Sequence, residues 1–122
     1  MPPKPAAGIV VLTPRETVRE DIQPLVAMYR NLGSDSASAV VNRSISDLGI
    51  ELAGIADRMI LHDLGRVAQP LARVQLLAET LGFVTLALVA ADLRACLRRG
   101  DPTAIAAVWA RLCRVAEKAL AG

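Results

Sequence analysis

Few side chains in this chain could act as a nucleophile or carry a proton in a reaction. His62 is the only histidine, and Cys96 and Cys113 are the only cysteines. No serine or cysteine stands at a recognisable spacing from the histidine, the sequence has no glycine-rich phosphate loop, and two widely separated cysteines do not form a zinc site. We therefore expect no metal and no cofactor. Both cysteines fall on predicted buried helix faces, where free thiols are expected, although the sequence also allows a disulfide.

One predicted helix, between residues 64 and 81, carries side chains that could contact a partner protein. Its apolar residues at positions 67, 71, 74, 78 and 81 form a stripe that faces the core. At about 100° per residue, position 72 points away from that stripe and toward solvent. An outward leucine beside an alanine would form a small apolar patch on which a helix or loop could dock. The candidate contact residues are Gln69, Ala72, Arg73, Gln75, Leu76 and Glu79.

The composition is typical of a single domain of the all-α class. A length of 122 residues is enough to bury a core without metal or disulfide bonds. Hydrophobic residues make up 53% of the chain and aromatic residues only 2%, so the core must consist of leucine, valine, isoleucine and alanine. Alanine and leucine also have the highest helix propensities.

Charge and hydropathy argue against two classes of partner. The net charge is +2, and no basic stripe, aromatic platform or charge run appears, so we expect no nucleic-acid partner. The longest apolar stretch, residues 81–91, is broken by Gly82 and Thr85 and is much shorter than the ~20 residues that span a bilayer. The first residues, with one lysine and a short apolar run, make a poor signal peptide. We expect a cytoplasmic protein without membrane contact.

The amino-terminal part is predicted to combine an extended arm with a capped helix. Residues 1–12 include three prolines and form the arm, which leaves residues 13–122 as the single helical domain. A capping box at residues 13–16 starts the first helix, which should extend from about residue 14 to residue 32. Pro24 predicts a kink or a break inside it, with Asp21 able to cap a second segment.

Two apolar stripes predict the next helices. After a turn and capping cluster at residues 34–36, apolar residues recur at spacings of four and three. This second helix has the stripe Val41, Ile45, Leu48, Leu52, Ile55 and Met59. In the third helix Asp63 is the expected cap, Pro70 predicts a bend, and Gly82 is expected just past the end. Its stripe consists of Leu64, Val67, Leu71, Val74, Ala78 and Leu81.

The last two helices are separated by a turn with strong stop and start signals. The fourth should span residues 84–99 and end at Gly100, and Asp101 and Pro102 then supply the cap and first residue of the fifth. The inward residues are Leu86, Val89, Leu93, Cys96 and Leu97 in the fourth helix, and Ile105, Val108, Trp109, Leu112, Val115, Ala116 and Leu120 in the fifth. Because the turns are short, consecutive helices should be antiparallel, which predicts an up-down helical bundle.

Residues 61–82, LHDLGRVAQPLARVQLLAETLG, resemble the phosphorylated helix of histidine-containing phosphotransfer (HPt) domains. That family carries the form "GD-L…AH-x-LKG-x-A…LG" in this helix. Alignment of the Asp-Leu and Leu-Gly pairs at positions 63–64 and 81–82 puts Ala72 at the family's histidine, Gln75 at its lysine and Leu76 at its small glycine. The resemblance covers about residues 25–120, because the closing passage is similar to the family's "LG…L…L…L-x-x-GD…L" hairpin.

This resemblance implies a four-helix bundle with an additional short N-terminal helix, and a function without catalysis. In the family, an outward imidazole accepts phosphate from an aspartyl phosphate, and a lysine helps to stabilise the phosphoryl charge. Alanine at position 72 has no lone pair for nucleophilic transfer, and Gln75 has no positive charge. The resemblance therefore implies a pseudo-phosphotransfer protein of a two-component or phosphorelay pathway. It would bind a receiver domain or a sensor kinase, as a monomer, through the outer faces of the second and third helices.

Charged residues of the second helix are expected on its solvated face. They are Arg43, Asp47, Glu51 and Arg58. If the docking mode of the family holds, these charges would tune the choice of partner more than the affinity.

Three other interpretations stay open. Active phosphotransfer could use His62, which stands in a predicted turn ten positions, or ~15 Å of helix, from position 72. Residues 70–74, PLARV, look like the stretch that follows the phosphorylated histidine in the dimerisation helices of sensor kinases. In that register Gly65 takes the place of the histidine, and the protein would act as a dimer. The third interpretation is a helical interaction module unrelated to phosphorelay.

Overall fold

A computed structural model describes residues 17–121, and every regular element in that range is a helix. The elements are α1 (Gln23–Leu32), α2 (Ser34–Ile60), a 3₁₀ turn (Leu64–Arg66), α3 (Ala68–Leu81), α4 (Val84–Arg99) and α5 (Pro102–Ala121). The predicted all-α class is confirmed for this part of the chain. The predicted arm at residues 1–12 and the capping box at residues 13–16 lie outside the described residues. None of the helices α1 to α5 is long and apolar enough to cross a membrane.

The helices from α2 to α5 pack in chain order, each against the next, and α1 lies on α2 and α3. Connections of two residues join α3 to α4 and α4 to α5, so these neighbours are antiparallel. The core between them is aliphatic, as the composition predicts. Its largest fully buried side chains are Leu48, Ile55, Leu71, Leu86, Leu93, Leu112, Val67, Val74, Val89 and Val115.

The segment before α1 is not helical, so the predicted helix from residue 14 is wrong for residues 17–22. This segment forms hydrogen bonds with the connection between α3 and α4 and with the first turn of α4. The backbone N–H of Asp21 donates to the carbonyl oxygen of Gly82 at 2.8 Å, and the N–H of Arg19 donates to the hydroxyl of Thr85 at 2.7 Å. These tertiary hydrogen bonds satisfy backbone groups that a longer helix would have satisfied internally.

The start of α1 agrees with the predicted break at Pro24. This proline stands in the first turn of α1, where its missing N–H removes no hydrogen bond within the helix. The side chain of Asp21 accepts a hydrogen bond of 2.9 Å from the N–H of Gln23. Asp21 thus holds the first N–H of α1 from one residue before the cap, but the cap is Ile22, which makes no side-chain capping hydrogen bond, so the prediction that Asp21 is the cap is wrong.

The buried stripe of α2 differs from the predicted one at one position. Val41, Leu52 and Met59 pack against the core, and Leu48 and Ile55 lie within it. The inward position expected for Ile45 is wrong, because this side chain is 39% exposed and Ser44 is buried instead. Relative to Leu48, position 44 is about 40° around the helix and position 45 about 60° on the other side. The predicted turn at residues 34–36 is also wrong, since these residues form the first turn of α2.

The third predicted helix is shorter than expected because it begins with a separate 3₁₀ turn. α3 starts at Ala68, so Pro70 is its third residue and its missing N–H falls in the first turn. The predicted bend at Pro70 is therefore wrong, and a break before α3 takes its place. Asp63 makes no capping hydrogen bond through its side chain, contrary to the prediction. Its carboxylate instead lies 3.6 Å from Nε of Arg66.

The bounds of α4 and the start of α5 are as predicted. Gly100 ends α4 in the left-handed conformation, with φ 68°. The side chain of Asp101 accepts hydrogen bonds from the N–H groups of Thr103 and Ala104, at 3.1 and 3.2 Å. The inward position expected for Leu120 is wrong, because that side chain is 39% exposed and its neighbour Ala119 is buried.

Candidate functional site

The candidate contact face lies on α3, which packs between α2 and α4. The predicted core side of this helix is confirmed from position 67 onward. Its buried residues are Val67, just before the helix, and Leu71, Val74, Ala78 and Leu81 within it. The helix ends at Gly82, which has φ 77° and ψ 16° in the left-handed region, as predicted. Because these buried residues fix the side of α3 that faces the core, the opposite side of the helix faces solvent.

The six predicted contact residues share the outer side of α3 but differ in exposure. Gln69, Arg73, Leu76 and Glu79 are exposed, whereas Ala72 and Gln75 are half-buried. Ala72 does lie on the outer side, but it is more covered than the predicted surface position implies. A helix flanked by two neighbours leaves only a narrow strip open to water, and Gln75 lies on the side of α4, from which Arg94 reaches it.

Side chains from both neighbouring helices reach this face and hold its polar residues. From α2, the carboxylate of Glu51 lies 3.4 Å from Nε of Arg73. From α4, Nη1 of Arg94 donates to Oε1 of Gln75 at 2.8 Å, and Nε2 of Gln75 donates to Oε1 of Glu79 at 3.1 Å. At 100° per residue, positions 72 and 76 fall between these two sets of polar contacts.

Glu51 and Arg58 on α2 are less exposed than the sequence predicts, since both are half-buried. Glu51 was expected on a solvated face, but its side chain is only 19% exposed because it points toward Arg73 on α3. Arg43 and Asp47 do form an exposed pair one turn apart, with 4.0 Å between the charged atoms. The exposed pair contributes little to stability, whereas the contact between Glu51 and Arg73 joins α2 to the contact face.

Arg94 is a residue of this face that the sequence analysis missed. The predicted bounds of α3 and α4 were sufficient to place Arg94 near Gln75. An antiparallel pairing about the connection at residues 82 and 83 places position 75 beside position 90, and position 94 is one turn further along α4. A side chain as long as arginine can cover that turn. A positive charge from the neighbouring helix thereby lies beside the side chain of Gln75.

Leu76 is the one large apolar side chain of α3 that is exposed, with 63% of its surface open to solvent. The backbone at this point is held by Thr80, whose hydroxyl donates to the carbonyl oxygen of Leu76 at 2.9 Å. Ala72, one turn before, adds a methyl group. The result is a small apolar patch with polar groups on both sides, which can contact a protein surface but offers no atom for covalent chemistry.

His62 lies in the turn after α2, as predicted, and is exposed. It has a φ of 55°, in the left-handed region that only a small fraction of non-glycine residues adopt. The next residue ties the turn back to α2, because the N–H of Asp63 donates to the carbonyl oxygen of Arg58 at 2.9 Å. The only imidazole of the chain therefore belongs to a turn outside α3.

The two cysteines are free thiols, as expected. Cys96 is buried in α4, and its sulfur accepts a hydrogen bond of 3.3 Å from Nη2 of Arg99. Cys113 is half-buried in α5, and burial raises the pKa of its thiol, with a smaller contribution from Glu117. No cluster of three or more histidine, cysteine, aspartate or glutamate side chains within residues 17–121 could hold a metal ion.

Comparisons of this chain with protein-family models, with curated proteins and with solved structures found no match.

Proposed function

We propose that this chain is a non-catalytic, HPt-like interaction protein of a two-component or phosphorelay pathway. In this proposal, α2 to α5 form an up-down four-helix bundle and α1 is the additional N-terminal helix. A receiver domain or a sensor kinase binds the outer faces of α2 and α3. The contact residues are Gln69, Ala72, Arg73, Gln75, Leu76 and Glu79.

The observation that carries the proposal is the position of Leu76. This side chain is 63% exposed between polar residues that are held by α2 on one side and by α4 on the other. An apolar centre with a polar rim is the usual anatomy of a protein contact surface. Side chains that are already held lose less conformational entropy when a partner binds.

The positive charge of Arg94 favours a partner whose contact surface is acidic. In the register of the resemblance the family's lysine falls on Gln75, and Arg94 donates a hydrogen bond to the side chain of Gln75. A positive charge thus stands beside the position at which the family has one. A receiver domain presents the aspartate that carries its phosphoryl group, and opposite charges favour encounter and correct register.

The proposal can be tested by binding measurements with receiver domains and kinase domains of the organism that encodes this chain. Leu76→Ala should weaken the binding of the cognate domain about tenfold, or ~1.4 kcal/mol, if this leucine is a central contact. Leu120→Ala on α5 is the matched control, because that leucine is also partly exposed but lies on another helix. Equal effects of the two substitutions would contradict the proposed face.

A phosphotransfer assay tests the absence of catalysis. With a phosphorylated cognate kinase or receiver, the wild-type chain should acquire no stable phosphohistidine. His62→Asn should leave partner affinity unchanged, and asparagine is chosen because it tolerates the positive φ at this turn. If the wild-type chain does become phosphorylated and His62→Asn abolishes that phosphorylation, the alternative of active phosphotransfer through this residue would be established.

The oligomeric state separates the proposal from the kinase-hairpin alternative. An HPt-like protein of this kind should be a monomer in light-scattering measurements over a wide concentration range. A stable dimer would favour the dimerisation-helix interpretation of residues 70–74. Absence of binding to both classes of partner would favour an unrelated helical interaction module.

A further inference from the structure

A cavity lies at the end of the molecule where the 3₁₀ turn and the start of α3 meet the end of α4 and the start of α5. Its volume is about 490 Å³. Leu64, Leu97 and Ile105 supply its apolar lining, and Ala68 lines it from the first turn of α3. Pockets of this size accept small organic molecules. The cavity is separate from the exposed patch at Leu76.

Two arginines of α4, Arg94 and Arg98, line the same cavity. Arg98 is exposed and forms no ion pair with an acidic side chain in the described part of the chain. Arg94 is half-buried and donates through Nη1 to the neutral side chain of Gln75, and within residues 17–121 it likewise forms no ion pair. A guanidinium presents five N–H donors in a planar arrangement that matches a carboxylate.

The acidic residues nearest in sequence to this cavity have other partners. The carboxylate of Asp101 accepts hydrogen bonds from the first turn of α5, and that of Asp63 lies against Arg66. Because Asp101 occupies these backbone donors, an anion in the cavity would be held by the two arginines and not by the N-terminus of α5. The end of α4 carries the negative pole of the helix dipole, and the positive charge of Arg98 in its last turn offsets that pole.

We propose that this cavity binds a small amphipathic carboxylate, with its aliphatic tail against Leu64, Leu97 and Ile105 and its head group on Arg94 and Arg98. The apolar lining supplies the affinity that grows with tail length. The two guanidinium groups select a negative head group. Arg94 belongs both to this cavity and to the contact face on α3, whereas Arg98 and Ala68 line the cavity and are not among the proposed contact residues, so substitutions of these two test this site separately from the proposed phosphorelay function.

Octanoate is a suitable probe for the full chain, with binding followed by calorimetry and by amide chemical shifts. We expect saturable binding with shift changes at Leu64, Leu97 and Ile105. Acetate, which has the head group without the tail, and octylammonium, which has the tail with the opposite charge, should not saturate the site. Equal binding of octylammonium, or shift changes centred elsewhere on the molecule, would overturn the proposal.

Two substitutions test the charge and the shape of the cavity separately. Arg98→Gln should weaken octanoate binding about tenfold, as expected for the loss of a charge-assisted hydrogen bond. Arg43→Gln removes the same charge from α2, away from the cavity, and should leave binding unchanged. Ala68→Leu should block the cavity while keeping both arginines. Binding that is insensitive to both Arg98→Gln and Ala68→Leu would refute the site.

A membrane surface could also present carboxylate or phosphate groups to these arginines. Sedimentation with vesicles that contain phosphatidylglycerol distinguishes that source from a free ligand. The proposal expects octanoate binding without sedimentation. Sedimentation that depends on Arg98, in the absence of octanoate binding, would contradict it.

Discussion

The backbone N–H of Asp21 donates a hydrogen bond of 2.8 Å to the carbonyl oxygen of Gly82, and the same two residues are in close backbone contact. A Cβ at position 82 would overlap the carbonyl oxygen of Asp21. Gly82 also has a φ of 77°, which disfavours any residue with a side chain. This glycine thus ends α3 and lets the segment before α1 cross the end of the helix.

We therefore expect Gly82→Ala to destabilise the protein by roughly 2–4 kcal/mol, since backbone strain and a steric overlap add together. Gly100→Ala is the matched control. Gly100 has a similar φ, 68°, but no atom within 4 Å of the position of its Cβ, so only the strain of about 1 kcal/mol applies. Urea unfolding of both variants measures the difference. Equal losses of stability would show that the contact with Asp21 does not matter.

Replacement of Pro70 should have little effect on stability. The residue lies in the first turn of α3, so Pro70→Ala should change the free energy of unfolding by less than about 1 kcal/mol. A proline in the middle of a helix costs ~3 kcal/mol, and its removal would stabilise the protein by a similar amount. Thermal and urea unfolding distinguish the two cases. A gain of several kcal/mol in Pro70→Ala would contradict the position of Pro70 in the first turn and would support the bend that the sequence predicts.

The cap of α5 should contribute measurably to stability. Asp101→Ala removes the acceptor of two backbone hydrogen bonds and should cost about 1 kcal/mol. Asp35→Ala is the comparison, because Asp35 stands in the first turn of α2, where no side chain caps the helix. It should cost only a few tenths of a kcal/mol, through the helix dipole. Similar losses for both would indicate that the hydrogen bonds of Asp101 contribute little.

The reactivity of Cys113 should depend on Glu117. Burial raises the pKa of this thiol, the carboxylate of Glu117 raises it further, and Arg114 opposes the shift. At mildly alkaline pH, iodoacetamide should therefore modify Cys113 slowly, because the thiolate is the reactive form. Glu117→Gln should accelerate modification several-fold, whereas Arg114→Gln should slow it. Mass spectrometry of digests measures each rate, and an unchanged rate in Glu117→Gln would contradict this account.

The same thiol gives a pH dependence of stability with a definite sign. The pKa of Cys113 is higher in the folded chain than in the unfolded chain, so the folded chain holds this proton to higher pH. The contribution of this thiol to the free energy of unfolding is fully present at neutral pH and is lost as the pH rises through the alkaline range. Cys113→Ser should flatten this part of the stability profile.

Local rules were sufficient for the ends of several helices. Gly82 and Gly100 are left-handed ends, and Asp101 is a cap, because each role depends on residues within one helical turn. The aliphatic composition and its periodicity were enough for the all-α class. The same periodicity was insufficient to choose between Ser44 and Ile45, since both lie within about 60° of the core direction defined by Leu48.

The contact face shows the same division between sequence and tertiary structure. By itself, the sequence determined that the outer side of α3 carries polar residues around Ala72 and Leu76 and has no histidine, because helical periodicity and residue type settle that question. Only the tertiary structure decided how far α1 extends, how much of Ala72 is exposed, and that Arg94 reaches Gln75. Each of these depends on contacts between residues far apart in the chain, such as the hydrogen bond between Arg19 and Thr85, which are 66 positions apart. Such contacts compete with local propensity, and their outcome is set by the packing of neighbouring helices.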